Sequence, residues 1–452
     1  MNVTIIGTGY VGLTTGVCLA YLGHQICCLD TDAAKIDLLK NGTPPIYEPF
    51  IAELLDLGAS RIRFTSSYDD AVPGAEVIFI AVGTPPQPDG NPDLSYLRAA
   101  ANSIGERLKD GFTVIVNKST VPIGSGNWVE SLVRSSRPKK DGDEAGFAVA
   151  SNPEFLREGA ALRDSLYPDR IVIGADTPRA LEVLYTLYRP VLDQTFSPPT
   201  FLPRPEDLGA VPLVSTDLAS VELIKYAANA FLALKISYIN EVGQIAEKVG
   251  ADIAQVAKGI GLDARIGTRF LQAGLGWGGS CFGKDTAALM ATARDYNLTM
   301  PLVEAAREIN QRQRRRVVEK LLGELKILKG KSIALLGLAF KPHTDDLRDA
   351  PALEIARLLV ERGAQVRAHD PVALQNARNL AAHDDIRYCV SAEDAISDAD
   401  AAVLVTEWPH YLDLDWEELA AVARTPLLID GRGVLDRNRL RAAGWRCLTL
   451  HG

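Results

Sequence analysis

No apolar run in this sequence reaches the roughly 18–20 residues that a membrane-spanning helix needs. The opening MNVTIIGTGYVG has no basic stretch ahead of an apolar one, so a secretory signal peptide is not expected. Cysteine is scarce: six in 452 residues, at 18, 27, 28, 281, 389 and 447, with no CxxC and no paired spacing. That usage suits a reducing cytosol and excludes a disulfide framework or a zinc knuckle. The six histidines, at 24, 343, 369, 383, 410 and 451, are equally scattered, so no metal site is expected. Basic charge is short as well. The net charge is −9 and the one basic cluster is Gln311–Arg316, which disfavours a nucleic-acid partner. That cluster reads first as a solvated helix face and second as an anion or subunit contact.

What the chain does have is enough apolar material for more than one core. Hydrophobic residues make up 47% of 452 positions, and that length predicts two or three domains. Two segments share a plan. Asn2–Gly7 is an apolar strand running into a glycine turn, a helix, and a second strand ending at Asp30. Lys331–Gly337 begins the same sequence of events, ending at Asp370. Farther along, Tyr68–Val72 and the strand after it are echoed by Ala392–Ile396 and the strand after that. Strands alternating with helical patterns indicate βαβ units. Between the ends, Asp217–Val249 has apolar residues at three- and four-residue spacing and no proline, a long helix. Helical character continues to about Leu322, broken by a loop over Gly274–Gly283. Prolines at 198, 199, 203, 205 and 212 mark Gln194–Pro212 as a surface connection. The predicted fold is α/β, two Rossmann-like doubly wound parallel-sheet domains joined by a long central helix. Its expected divisions are 1–212, 213–322 and 323–452.

Gly7-Thr8-Gly9-Tyr10-Val11-Gly12 lies between a predicted strand and a predicted helix, with Asp30 at the next strand end. In that setting the glycines admit a pyrophosphate to backbone N–H groups at a helix N-terminus. Asp30 can accept hydrogen bonds from ribose hydroxyls and would repel a 2′-phosphate, so NAD is expected over NADP, with Lys35 near enough to soften the preference. The alternative is a purely structural turn. The second turn, Gly337–Pro342, lacks the full fingerprint; it is expected to hold another nucleotide portion, with Lys341 and Arg348 available for phosphate or carboxylate contacts. Gly83–Pro86 and Lys118–Gly124 follow later strands of the first domain, where ligands of open parallel sheets sit. Glu154 and Glu158 are four apart, a spacing that would bring both to one helical face. Lys225 and Asn229, also four apart, offer an ammonium and an amide for an oxyanion; a snorkelling lysine is the plainer reading. In Gly276–Asp285, GWGGSCFGKD, the glycines are expected to let backbone crowd a ligand, and Lys284 to favour the Cys281 thiolate.

Together these stretches resemble the UDP-glucose/GDP-mannose dehydrogenase family, nucleotide-sugar dehydrogenases that oxidise an alcohol twice to a carboxylate. The likeness runs through GTGYVG (7–12), GTPP (83–86), KSTVPIG (118–124), SNPEFLREG (151–159), ELIKYAANAFLALKISYINE (222–241), DARIG (263–267), GWGGSCFGKD (276–285), GLAFKPHTDDLRDAP (337–351) and TEW (406–408). It implies NAD-dependent, four-electron oxidation of UDP-glucose to UDP-glucuronate, with GDP-mannose or a UDP-N-acetylhexosamine as the alternative substrate. Carried over by position, it implies Cys281 as nucleophile, with Thr120, Glu154, Lys225, Asn229 and Asp285 completing the catalytic set. Gly7, Gly9, Val11, Gly12, Asp30, Lys35, Thr84, Thr120, Glu158, Lys284 and Arg348 would hold NAD. Glu154, Phe155, Leu156, Arg157, Glu158, Lys225, Asn229, Phe270, Leu271, Gln272, Ala273, Gly274, Gly278, Lys341 and Arg432 would contact the sugar nucleotide, and Arg265 that of a neighbouring subunit. A homodimer through the long helix is implied.

Two stretches depart from the family pattern. Asp430-Gly431-Arg432-Gly433 carries glycine where asparagine is frequent, and Thr200–Val211 looks like an added loop. A reading from another class is a nucleotide-sensing binding protein without chemistry; the joint presence of Cys281, Lys225 and Asp285 speaks against it.

Overall fold

Short apolar strands and the helices between them close into two sheets in the computed structural model, which describes residues 1–109, 111–138, 146–380 and 385–451. His383 lies outside the described residues. The first sheet comprises β1 (Asn2–Ile6), β2 (Gln25–Leu29), β3 (Ile62–Thr65), β4 (Val77–Ile80), β5 (Thr113–Asn117), β6 (Phe147–Ser151), β7 (Ile171–Ala175) and β8 (Leu213–Thr216). Its order is β3-β2-β1-β4-β5-β6-β7-β8, parallel except where β6 meets β7. The second comprises β9 (Ser332–Leu336), β10 (Gln365–His369), β11 (Ile386–Tyr388), β12 (Ala401–Leu404), β13 (Leu427–Asp430) and β14 (Arg446–Thr449), in the order β11-β10-β9-β12-β13-β14. Renumbered from its first strand, that order repeats the first six strands of the other sheet. The duplication read in the sequence is a duplication of topology.

Every residue of β4, β5 and β9 is buried, as a parallel sheet covered on both faces requires. Side chains alternate between two cores. In the first sheet Ile5, Phe79 and Val116 pack on one face, and Ile6, Ile78 and Ile115 on the other. In the second, Ile333, Leu335 and Val403 oppose Ala334, Leu336 and Leu404. The echoed helices Tyr68–Ala71 and Ala392–Ile396 are each N-capped by a serine hydroxyl, Ser67 and Ser391.

The chain divides into two compact units, 1–228 with 287–297, and 229–286 with 298–452. The helix Leu218–Val249, 32 residues, carries the chain from the first into the second. No helix among the described residues is long and apolar enough to cross a membrane.

Two expectations change. Gln194–Pro212 is not a plain surface connection: Leu202 and Val211 are buried, Tyr167 and Phe196 stack at 5.8 Å, and Phe50 and Phe201 at 5.4 Å. Arg204 locks the loop by donating to Phe196 O at 2.6 Å and Gln194 Oε1 at 3.1 Å. Its apolar side chains give it a core contact that proline count alone does not reveal. Gln311–Arg316 is a solvated face only in part, with Gln311, Arg312 and Arg315 exposed. In the helix Pro301–Leu325, Gln313 and Arg314 are buried. Arg314 donates to Asp349 Oδ1 (2.8 Å), Glu354 Oε2 (2.5 Å) and Trp277 O (3.1 Å). A run of like charges says nothing about acceptors far away in sequence, and here they draw one guanidinium inside.

Candidate active site

At the end of β1, Gly7 has φ +99°, and a Cβ on Gly12 would lie 1.8 Å from Gly7 O, so neither position tolerates a side chain. A Cβ on Gly9 would meet nothing within 4 Å, and the helix Tyr10–Tyr21 starts with no acidic residue in its first turn. Its own first turn supplies no negative charge to its positive end. Asp30 Oδ2 accepts Thr8 N (2.8 Å) and Thr8 Oγ1 (2.7 Å). Burial alone would raise this carboxyl; hydrogen bonds from Asp32 and Thr8 outweigh it and hold Asp30 below its ordinary range. An open glycine at a helix N-terminus beside an ionised aspartate is a donor and acceptor set that fits a dinucleotide. Thr84 Oγ1 donates to Thr120 O (3.0 Å) and Ser119 Oγ to Val82 O (2.7 Å), stitching the two later strand-end loops together.

Glu154 and Glu158 do not share a helical face. Residues 152–157 are irregular, and a helix begins only at Ala161. Pro153 biases the residue before it toward extended backbone, and Glu154 Oε2 accepts Leu156 N at 2.9 Å, folding the segment into a turn. Glu154 is instead paired with Lys225, whose Nζ donates to Glu154 O (2.6 Å) and Oε1 (2.9 Å) and lies 5.2 Å from the Phe155 ring centre. Both residues are buried, so Lys225 is no snorkelling lysine. Arg170 covers Phe155 at 3.9 Å, while Arg157 is turned to Asp164 at 2.7 Å.

Cys281 stands at the N-terminus of the helix Phe282–Asp295; Asp285 N donates to Cys281 O at 2.9 Å. Its thiol is partly exposed, 3.5 Å from Ser280 Oγ, where the helix end favours a thiolate. Elsewhere burial pushes thiols the other way, Cys27 to about 11 and Cys18 to about 12. The Lys284 ammonium is held by Asp285 Oδ1 at 2.5 Å, and Asn229 Nδ2 donates to Asp285 Oδ2 at 2.5 Å. Lys284 is thus paired with the carboxylate of its neighbour. The loop glycines also have a different reason: a Cβ on Gly276 (φ +88°) would lie 2.1 Å from Asn310 Oδ1, and one on Gly278 2.3 Å from Asp349 O. At these two positions the backbone is crowded by protein.

In the same unit Leu271 is buried and Gly274 N donates to Asn240 Oδ1 at 2.7 Å. Arg432 is fixed by Val405 O (2.6 Å), Phe340 O (3.2 Å), Gly276 O (3.4 Å) and Glu407 (3.1 Å). Lys341 Nζ lies 5.5 Å from the Phe340 ring centre. Arg348 pairs with Asp346 and Arg265 with Asp263, both at the surface. Asp370, the counterpart of Asp30, is buried: Leu338 N, Ala339 N and Trp408 Nε1 occupy its Oδ2. The second turn therefore has no exposed ribose acceptor like that of the first.

Three residues were invisible to sequence reasoning. Glu48 Oε2 accepts Gly159 N (2.6 Å) and the hydroxyl of Tyr10, and Oε1 accepts Ala161 N (2.7 Å), tying the fingerprint to the turn that carries Glu158. Glu222 accepts Gly124 N (2.6 Å) and Gly126 N (2.8 Å), just beyond Thr120. Asn310 brackets Trp277 through both its N and its O, at 2.7 and 2.8 Å. The signal for the first two was a lone acidic residue in an otherwise apolar neighbourhood.

Models of the UDP-glucose/GDP-mannose dehydrogenase family match along the chain: the NAD binding domain over 1–192, the central domain over 219–312 and the UDP binding domain over 334–437. The chain is 45% identical over 456 residues to a UDP-glucose 6-dehydrogenase of Rhizobium meliloti, covering 100% of this chain and 99% of that protein. It is 43% identical over 446 residues to the UDP-glucose 6-dehydrogenase TuaD of Bacillus subtilis, covering 98% and 92%. Among solved structures it is similar to a UDP-glucose dehydrogenase from the archaeon Pyrobaculum islandicum, with 39% identity, a TM-score of 0.87 and 98% of each chain covered.

Proposed function

Because the chain belongs to the UDP-glucose/GDP-mannose dehydrogenase family, we propose that it oxidises UDP-glucose to UDP-glucuronate in two NAD-dependent steps. The observation that carries this reading is the partly exposed Cys281 thiol at a helix N-terminus, in the unit that also holds the Asn229–Asp285–Lys284 cluster. Bound NAD supplies the hydride acceptor in each oxidation. Gly7, Gly9, Val11, Gly12, Asp30, Lys35, Thr84, Thr120, Glu158, Lys284 and Arg348 are assigned to hold it.

Asp285, through water, takes the proton of the C6 hydroxyl as the alcohol becomes an aldehyde. The Cys281 thiolate adds to the aldehyde carbon, giving a thiohemiacetal; its oxidation leaves a thioester on sulfur. The aldehyde thus never leaves the protein. An amide carries two N–H donors, and with one on Asp285 the other N–H of Asn229 serves the oxyanion together with Lys225. Glu154, with Thr120 holding the water, prepares hydrolysis of the thioester, which frees Cys281.

Phe155, Leu156, Arg157, Phe270–Gly274, Gly278, Lys341 and Arg432 are assigned to the sugar nucleotide, and Arg265 to that of a second copy. The functional division follows 1–212 for NAD, 213–322 for the cysteine loop and dimer contact, and 323–452 for the UDP-sugar. A homodimer is supported by one stripe on the long helix: Phe231, Tyr238 and Ile245, seven apart, are 63%, 57% and 63% exposed. The six free thiols suit the cytoplasm.

The test is the NADH formed per UDP-glucose consumed, with two expected. Faster turnover of GDP-mannose or a UDP-N-acetylhexosamine in a substrate panel would reassign the sugar, and NAD binding with no turnover would favour a sensor.

A further inference from the structure

Lys118 lies at the carboxyl end of β5 and ends in an unusual place. Its ammonium donates to Asn152 Oδ1 at 2.8 Å and stands 3.5 Å from the Tyr188 hydroxyl. The rings of Phe79 and Tyr188 lie beside it, with centres 5.9 and 5.8 Å away. The three residues in contact, Asn152, Tyr188 and Phe79, are all neutral. A partly buried cation whose partners are neutral is costly to the fold, and such costs concentrate where a charge has work to do.

The work is visible in what Asn152 holds. Asn152 N donates to Asn117 O at 2.9 Å and Asn152 Nδ2 to Val172 O at 2.7 Å, while Oδ1 accepts both Lys118 and the Tyr188 hydroxyl, the latter at 2.6 Å. Backbone and side chain of this residue are therefore engaged by β5 and the lysine after it, by β7 and by the helix Pro178–Leu192. Pro153 follows with a fixed φ, and the next residue is Glu154. Its carbonyl and its carboxylate are the two groups that receive Lys225. Displacing Asn152 moves both acceptors at once.

We propose that Lys118 is a positioning residue for the Glu154–Lys225 pair, fixing Glu154 through Asn152 and adding a second positive charge near the carboxylate. The inference rests on the reading of the reaction given above and assigns a residue that reading leaves out. Lys118 touches no reacting atom; it acts through Asn152.

The titratable groups facing Lys118 are Glu154 from the loop after β6, Lys225 from the long helix and Tyr188 from its own helix. Burial, opposed by Glu154 and aided by Lys225, lowers the Lys118 ammonium to about 8. With Lys118 and Lys225 both protonated, two cations serve one carboxylate. As pH rises past about 8 one of them is lost.

The experiment is a pH profile of kcat for the full-length enzyme, wild type against K118R and K118M, alongside NADH stoichiometry and Tm. We expect an alkaline decline of kcat near pH 8 in the wild type. In K118R it moves up by more than one pH unit, because arginine stays charged. In K118M it disappears, with kcat reduced about 10²-fold at neutral pH, the scale of a small misplacement at a reacting centre, and with little change in the KM for NAD. A wild-type decline retained in K118R overturns the proposal even if K118M fails to fold. So does a K118M that lowers Tm and leaves the pH profile unchanged, which is a structural lysine. A wild-type ratio other than two NADH per UDP-glucose sinks the reading of the reaction; two NADH with an unmoved decline sinks only the role of Lys118.

Discussion

Asn229 and Asp285, 56 positions apart, share a hydrogen bond of 2.5 Å between Nδ2 and Oδ2, and both side chains are buried. With Lys284 on its other oxygen, Asp285 is an acceptor on both sides. Replacing Asp285 by Asn removes the anion and makes one of these contacts an encounter of two donors. We expect kcat to fall by about 10²–10⁴, the range of a lost general base, with the KM for UDP-glucose changed much less. A kcat within a few-fold of wild type would reduce Asp285 to a helix anchor.

Cys281 is set apart from the four buried thiols by exposure, and from Cys447, also partly exposed but in β14, by its helix end. In Cys281→Ser the weaker nucleophile is expected to stall the reaction near the first oxidation or at the ester stage. Rapid quench with intact-mass measurement should then find either no adduct or a persistent one, and at most one NADH released rapidly per site. Sustained release of two NADH per UDP-glucose by this variant would remove sulfur from the chemistry.

Asp30 has two tasks, and its substitution should separate them. Its Oδ2 already receives both donors of Thr8, so the carboxylate shapes the glycine turn before any ribose arrives. Asp30→Asn leaves the size unchanged and removes the charge. Hydrogen bonds to a charged group contribute about 1.5–3 kcal/mol, so the KM for NAD is expected to rise about 10- to 150-fold. The KM for NADP should rise less or fall, because the repulsion of a 2′-phosphate goes with the charge. Equal losses for both cofactors would mean that Asp30 serves the turn alone.

The parts legible in the sequence were those whose cause is local. An apolar strand, a glycine turn and a helical period are written in neighbouring residues, which is why both sheets and the Leu218–Val249 helix could be drawn before the structure. The fingerprint and the cysteine loop were legible for the same reason. What stayed hidden was long-range pairing. Glu48 meets Gly159 across 111 positions and Glu222 meets Gly126 across 96, and no spacing rule connects them. Two of the misreadings share one source. Glu154 with Glu158, and the basic run at Gln311–Arg316, were placed by helical or charge periodicity, but Pro153 bends the first and acceptors distant in sequence draw Arg314 of the second inside.

Glu222 offers a pH test of stability whose sign is set by its burial. Its carboxylate caps the helix Ser125–Ser136 through Gly124 N and Gly126 N, and accepts Ser151 Oγ at 3.3 Å. Burial pushes this carboxyl up to about 7, against those hydrogen bonds. An unfolded glutamate titrates near 4.3, so between these values the native state carries the extra proton. Stability from this group is therefore full below about pH 4.3 and declines as pH rises to about 7, above which it is constant. Glu222→Gln cannot titrate. The histidines that burial pushes down, His24, His369 and His451, have the opposite sign but are common to both proteins and cancel in the difference. The wild-type Tm measured relative to E222Q should fall steadily from pH 5 to pH 7 and then level off. Parallel Tm curves across that range would mean the Glu222 carboxylate is ionised throughout, and its cap would have to be credited with holding a full negative charge inside the fold.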